Sequence, residues 1–128
     1  MCTRIDYALL VAGGRNVWPR LDDMLTEVLL IEKATGRSIQ AIIQGGASGV
    51  DQVAREYAAE ASLPCFTFHA NWSTHGRAAG PIRNAEMARV LRAIGGAALI
   101  YPGGRGTASI SRELDLRNLA VFTPQVVS

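Results

Sequence analysis

The feature that most constrains this chain is an alternation of short apolar segments with longer amphipathic ones, in which three apolar segments end in a glycine pair. These segments are "IDYALLVAGG", "SIQAIIQGG" and "AALIYPGG". The stretches that follow them carry apolar residues at the three- and four-residue spacing of a helix. Strands separated by helices predict a parallel sheet, because parallel neighbours need a crossover connection.

The same pattern continues to the end of the chain, where "PCFTF" and "AVFT" predict two further strands. The expected fold is therefore a single α/β domain over residues 1–128, Rossmann-like and three-layered, with a mainly parallel five-stranded sheet and helices on both faces. In a common strand order for this fold, 3-2-1-4-5, the three glycine-ended strands are neighbours.

Helix boundaries and faces follow from periodicity and capping signals. The first helix is predicted to end at Gly36 and to share one face among Leu21, Met24, Leu25, Val28 and Leu29. The second carries a start signal, Ser48 followed three residues later by Asp51, and apolar residues at helical spacing: Val53, Tyr57, Ala58 and Ala61. The third, in "GPIRNAEMARVLRAI", has Pro81 in its first turn.

Composition excludes several classes of protein. The chain is 48% apolar, with no run long enough to cross a bilayer and no signal-peptide pattern, so a soluble cytoplasmic protein without a membrane partner is expected. Cys2 and Cys65 lie in unrelated contexts, which favours neither a disulfide framework nor a metal site. A net charge of +2 is too small to indicate nucleic-acid binding by itself.

The glycine-rich strand ends indicate a ligand site. In parallel sheets of this kind ligands bind outside the carboxyl ends of the strands, where main-chain N–H groups and helix N-termini hold phosphate. An ordinary tight turn is the alternative for any one loop, but three loops converging on one edge favour the ligand. The candidate ligand-binding residues of the loops are Gly13, Gly14, Gly45, Gly46, Gly49, Pro102, Gly103, Gly104 and Gly106. Neither GxGxxG nor GxxxxGK[ST] occurs, which disfavours a dinucleotide dehydrogenase or a P-loop ATPase.

Several side chains beside these glycines are further candidates. The arginines Arg15, Arg77, Arg83 and Arg105 are expected to grip a phosphate, with a solvated surface role as the alternative. For Asp51, Ser48 and Thr107 both helix capping and ligand contact stay open.

The segment His69–Gly80 is long for a connection and is expected to cover the site. Trp72 in it either stacks on a base or packs under the loop, and His75 is a candidate ligand contact. A zinc site is not expected, because the two histidines have no cysteine or acidic partners nearby. No cofactor is expected either.

The chain resembles the SLOG superfamily, which includes the LOG phosphoribohydrolases and the DNA-processing protein DprA. The residues that carry the resemblance are "VAGGR", "GGASGVD", "NWSTHGRAAGPIRNAEM" and "PGGRGT", and the match is closest to the YspA-like, YpsA-related branch. The resemblance implies a nucleotide or nucleotide-derived ligand, of the NAD or ADP-ribose type among others. Asn84, inside "RNAEM", joins the candidate contacts.

The LOG enzymes hydrolyse the N-glycosidic bond of a nucleoside 5′-monophosphate with an arginine and with the glutamate of PGGxGTxxE. Arg83 matches that arginine, and Gly103, Gly104, Gly106 and Thr107 match the phosphate loop. The glutamate position, however, is Ile110, which disfavours hydrolysis because an oxocarbenium-like state is normally stabilised by a carboxylate.

Two hypotheses therefore stay open. The preferred one is a binding module for a nucleotide-type small molecule. The other is a phosphoribohydrolase with a displaced catalytic acid, using Arg83 with Glu113 or Asp51. Nucleic-acid binding by analogy with DprA is disfavoured. A homodimer or higher homo-oligomer is expected, formed by Leu114, Leu116 and Leu119 of the last helix and by the tail "VFTPQVV".

Overall fold

The computed structural model describes residues 4–126, and Cys2 and the tail residue Val127 lie outside them. Five parallel strands form one sheet in the order β3-β2-β1-β4-β5. Their bounds are β1 Ala8–Ala12, β2 Ala41–Gln44, β3 Cys65–Thr67, β4 Gly96–Ile100 and β5 Ala120–Phe122. The predicted fold class and strand order are both confirmed.

Helices connect each strand to the next. They are α1 Leu21–Thr35, α2 Val50–Glu60, the short α3 Trp72–His75, α4 Ala79–Ile94 and α5 Arg105–Leu116, with a 3-10 turn, Gly76–Ala78, between α3 and α4. No helix within residues 4–126 is long and apolar enough to span a lipid bilayer.

The helices cover both faces of the sheet, which produces two apolar cores. Leu9 and Val11 of β1 point to the face that also buries residues of α1 and α2. Leu10, between them, points to the opposite face, which buries residues of α4 and α5. Because successive side chains of a strand point to opposite faces and both faces are covered, β1, β2 and β4 are apolar except for Gln44 at the end of β2, and they form the centre of the sheet.

The buried face of α1 differs from the prediction. Met24, Val28 and Ile31 pack on the sheet, whereas Leu25 and Leu29 are 43% and 55% exposed. Spacings of four and three residues place Met24, Val28 and Ile31 on one stripe of the helix. Leu25 and Leu29 lie beside that stripe, on the outer surface. Gly36 ends the helix as predicted, in the left-handed conformation with φ of 69°.

The start of α2 also differs from the prediction. Gly49, not Ser48, is the N-cap, and no side chain caps this helix. Ser48 Oγ instead donates to the carbonyl of Arg15 at 3.1 Å, which ties the second glycine loop to the first. Ala61 lies after the end of the helix and is exposed rather than part of the buried face.

Two residues expected to face a partner chain occupy opposite environments. Leu114 is fully buried against the sheet, so it belongs to the protein's own core. Leu116, two residues later, is 72% exposed. Of these two residues, Leu116 is therefore the one available for contact with another molecule.

Candidate functional site

A cleft of about 680 Å³ opens at the carboxyl edge of β1, β2 and β4. Its walls are the three glycine-rich loops, the start of α4 and the segment that follows β3. The adjacency of the three strands in the sheet brings these loops together, although they are far apart in the sequence.

Most of the predicted site residues line this cleft. They are Gly13, Gly14, Arg15, Gly45, Gly46, Ser48, Asp51, Trp72, Arg83, Asn84, Gly104, Arg105, Gly106 and Thr107. Six further residues, which the sequence reasoning did not select as site residues, complete the lining: Ala12, Ala47, His69, Ala70, Met87 and Ile110.

The remaining candidates lie outside the lining: Gly49, His75, Arg77, Pro102, Gly103 and Glu113. His75 and Arg77 are exposed around α3 and the 3-10 turn. Glu113 accepts a hydrogen bond from Arg117 Nη1 at 2.6 Å within α5. Pro102 supports the site from behind, since its carbonyl accepts from Gly14 N at 2.8 Å.

Most of the loop glycines are required by the protein's own packing. A β-carbon on Gly49, which has φ of 75°, would overlap the carbonyl oxygen of Gly14 and lie 2.6 Å from that of Arg15. On Gly103 it would overlap Thr107 Oγ1 and lie 2.7 Å from Gly14 N. These two glycines let the loops approach one another closely, which is a structural role.

Gly104 and Gly106 are different. A β-carbon on either would meet no protein atom within 4 Å. Gly106 lies inside α5 and has no positive φ, so its helical backbone conformation does not require glycine. Both glycines line the cleft, and the space beside them contains no protein atom.

The N-terminus of α5 supplies hydrogen-bond donors at the same place. Gly104 is its N-cap, no side chain caps it, and its first helical hydrogen bond runs from Ala108 N to Gly104 O at 3.0 Å. The N–H groups of residues 105–107 precede that bond and have no intrahelical acceptor. The first turn holds no acidic residue and carries Arg105. This end of the cleft is therefore suited to an anion.

Arg83 and Asn84 connect the second and third loops across the cleft. Arg83 Nη1 donates to the carbonyl of Gly45 at 2.7 Å, and its Nε donates to Asn84 Oδ1 at 2.8 Å. Asn84 Nδ2 in turn donates to the carbonyl of Gly106 at 3.3 Å. Burial lowers the pKa of the Arg83 guanidinium from its usual value. Arg83 thus holds the loops together, and its Nη2 has no hydrogen-bond acceptor within residues 4–126.

Asp51 brings a buried carboxylate to the same cleft. It is 6% exposed, and its Oδ2 accepts from Ala47 N at 3.1 Å. Burial raises the pKa of Asp51, while the Ala47 N–H and the positive Arg83 act in the opposite direction. A β-carbon on Gly45 would lie 2.8 Å from Arg83 Nη1 and 3.1 Å from Asp51 Oδ2, so the two side chains converge on this glycine.

Gln44 supports the second loop from inside the sheet and was missed by the sequence reasoning. Its side chain is fully buried, and Oε1 accepts from Gly46 N at 2.7 Å and from Arg55 Nη1 at 3.2 Å. A polar residue at the end of an apolar strand, directly before a glycine pair, is the signal that could have revealed it.

The floor of the cleft is apolar, and an aromatic side chain stands at its rim. Met87 and Ile110 are 2% and 1% exposed and lie beneath the polar groups. Trp72 of α3 is 52% exposed. No group of three histidine, cysteine, aspartate or glutamate side chains within residues 4–126 is arranged to hold a metal ion.

Comparison with known proteins gives one informative match. Neither the curated proteins nor the solved structures contain a significant match to this chain. The profile of the family described as YspA, cpYpsA-related SLOG matches residues 8–75, which include β1, β2, the first two glycine loops and Asp51. The match covers more than half of the chain and confirms the resemblance seen in the sequence. The chain therefore belongs to the YspA, cpYpsA-related SLOG family.

Proposed function

We propose that the cleft binds a nucleotide or a nucleotide-derived small molecule, with its phosphate at the N-terminus of α5. The observation that carries this proposal is Gly106. Its conformation and packing need no glycine, yet it lines the cleft beside unpaired N–H groups, and Gly104 also has open space around a β-carbon. A ligand that lies against the backbone there would explain the glycine, because any side chain would occupy the same space. Membership of the SLOG family supports a nucleotide-related ligand.

The arginines of the cleft strengthen the anionic end. Arg105 lies in the first turn of α5, and Arg15 lies on the first loop, both exposed at the cleft. A guanidinium holds phosphate oxygens through paired hydrogen bonds. The apolar floor of Met87 and Ile110 and the indole of Trp72 then form the surface for a sugar and base.

Binding to defined nucleotides tests this proposal. Isothermal titration of AMP, IMP, CMP, NAD and ADP-ribose into the protein should show at least one with a Kd below the millimolar range. Arg105→Ala should weaken that ligand about tenfold or more, since a charged hydrogen bond is lost. Arg112→Ala is the matched control, because Arg112 is exposed on the same helix and does not line the cleft. Equal losses in both variants, or no binding at all, would contradict the proposal.

A second candidate function is hydrolysis of a nucleoside 5′-monophosphate to ribose 5-phosphate and a free base. It is favoured by one observation, the buried carboxylate of Asp51 beside Arg83 in the cleft. Asp51 is the better placed of the two acids considered for this role, because Glu113 is paired with Arg117 and does not line the cleft. A carboxylate there stabilises the positive charge that develops on the sugar as the base leaves.

Chromatography of nucleotides incubated with the protein separates the two functions. Release of a free base that is lost in Asp51→Asn and retained in Glu113→Gln would establish the hydrolase with Asp51 as its acid. Intact nucleotides recovered from a protein that binds one of them would leave recognition as the function.

We infer that residues 1–128 form one nucleotide-binding domain, which acts in the cytoplasm as a homodimer and binds a small molecule rather than nucleic acid. The exposed Leu116 and Val121, on α5 and the edge strand β5, support contact between copies. Size-exclusion chromatography with light scattering measures the mass of the protein in solution. A mass equal to that of a single chain would contradict the dimer.

A further inference from the structure

Two helix N-termini face the cleft, and they differ in charge. The first turn of α5 holds no acidic residue, and its first N–H groups are open. The first turn of α2 holds Asp51, which lines the cleft. The positive end of the α2 dipole is therefore already matched by a carboxylate, whereas that of α5 is not.

The Asp51 carboxylate also receives fewer hydrogen bonds from the protein than it can accept. Asp51 is 6% exposed, Ala47 N donates to its Oδ2 at 3.1 Å, and the Gly45 N–H also stabilises its charged form. The ion pairs of the described residues, Arg37 with Asp6 and Arg117 with Glu113, do not involve it. A carboxylate can accept about four hydrogen bonds, so Asp51, which lines the cleft, has acceptor capacity left for a donor on a ligand.

We infer that Asp51 determines the specificity of the cleft, by accepting a hydrogen bond from a hydroxyl or amino group of the ligand and by excluding a second phosphate from the α2 end. This inference rests on the proposed nucleotide binding. The ligand class is a molecule with one anionic group, held at α5, and an uncharged part rich in donors, such as ribose hydroxyls, at Asp51.

The electrostatics of the α2 end explain why a second phosphate is rejected. A phosphate there would lie close to a carboxylate in a partly buried cleft, where like charges repel more strongly than in water. Arg83 offsets part of this repulsion, but its Nη1 and Nε are already bonded to the carbonyl of Gly45 and to Asn84, so it has only Nη2 left to bind a phosphate there. A hydroxyl donor gains a charge-assisted hydrogen bond in the same position.

The test compares 5′-mono- and 5′-diphosphates of the same nucleosides. The chain has two tryptophans, Trp18 and Trp72, so Trp18→Phe leaves the cleft residue Trp72 as the single fluorescent reporter. In that background AMP, GMP, CMP and UMP are titrated against the corresponding diphosphates, without divalent cations. The wild-type Asp51 protein should bind its best monophosphate more tightly than the matching diphosphate.

Asp51→Asn keeps the shape of the side chain and removes its charge. It should lower the affinity for the monophosphate about tenfold or more. The affinity for the diphosphate, relative to that for the monophosphate, should rise by a similar factor. Asp22→Asn is the matched control, because Asp22 occupies the same position, the second residue, of α1 and is exposed away from the cleft. It should leave both affinities unchanged.

The outcomes separate this inference from the proposed function. If both ligands bind and Asp51→Asn leaves the ratio of their affinities unchanged, the role of Asp51 is overturned and nucleotide binding stands. A wild-type protein that prefers the diphosphate has the same consequence. Absence of binding by any mono- or diphosphate overturns both. The wild-type preference is measured without any Asp51 variant, so the inference can be refuted even if Asp51→Asn does not fold.

Discussion

Gly106→Ala gives the sharpest test of whether the third glycine loop is shaped by a ligand. Gly106 lies in the first turn of α5, where an added β-carbon meets nothing within 4 Å and φ is not positive. Alanine there costs no packing and restricts the unfolded chain more than glycine does. The variant is expected to be about 0.5–1 kcal/mol more stable than the wild type. For a domain of this size that corresponds to a Tm about 2–6 °C higher.

Binding should change in the opposite direction. The new methyl group is added at a residue that lines the cleft beside the unpaired N–H groups of α5, where the phosphate is proposed to lie. We expect the affinity for the best 5′-monophosphate to fall at least tenfold, which is about 1.4 kcal/mol. Thermal unfolding and the fluorescence of Trp72 in the Trp18→Phe background measure the two effects on the same preparation.

Gly36→Ala is the matched control for this pair of measurements. Gly36 also has open space around a β-carbon, but its φ is 69° and it ends α1 far from the cleft lining. Alanine there should lower stability by about 1 kcal/mol and leave binding unchanged. A Gly106→Ala protein that binds as tightly as the wild type would refute the argument that the ligand, rather than the fold, requires this glycine.

Three further variants test other parts of the structure. Gly49→Ala should destabilise the protein by about 3 kcal/mol or more in urea denaturation, because it combines a positive φ with overlap on the first loop; a loss below about 1 kcal/mol would mean that the loops move apart easily. Tyr101→Phe should raise stability by about 1 kcal/mol, since the buried Tyr101 hydroxyl has no partner among residues 4–126, and destabilisation instead would reveal an unseen acceptor. Burial raises the pKa of Asp51 above its ordinary 3.8, so the folded protein binds that proton more readily than the unfolded chain and this group destabilises the fold at neutral pH. Asp51→Asn should therefore be more stable than the wild type at pH 7, with an advantage that shrinks on acidification and disappears below pH 3.8, the ordinary value; an advantage that grows on acidification would contradict the sign.

The fold could be predicted because its signals are local. The central strands are apolar except for Gln44 at the end of β2, and each following helix is amphipathic, so the alternation alone indicates a parallel sheet covered on both faces. The predictions that were wrong, the buried face of α1 and the N-cap of α2, concern segments in which one local pattern allows two structures. Helix α1 carries apolar residues on two adjacent stripes, and periodicity could not tell that Met24 and Val28, rather than Leu25 and Leu29, contact the sheet. Ser48 has a side chain suited to an N-cap, but its hydroxyl donates a hydrogen bond to the carbonyl of Arg15, which is 33 residues away in the chain.

The candidate site was predictable in position but not in the division of roles among its residues. In the sequence the three glycine loops look equivalent, and all their glycines are expected to serve the ligand. The structure separates them, because only the space around each β-carbon tells whether glycine is demanded by a neighbouring loop, as at Gly49 and Gly103, or by no protein atom, as at Gly104 and Gly106. That space depends on contacts between segments far apart in the chain, which no local pattern encodes. The same holds for Asp51, whose position in the sequence allows either a cap or a ligand contact. Its carboxylate accepts from the Ala47 N–H and it also lines the cleft, so the two roles are compatible, and the test of its specificity does not assume that it has only one.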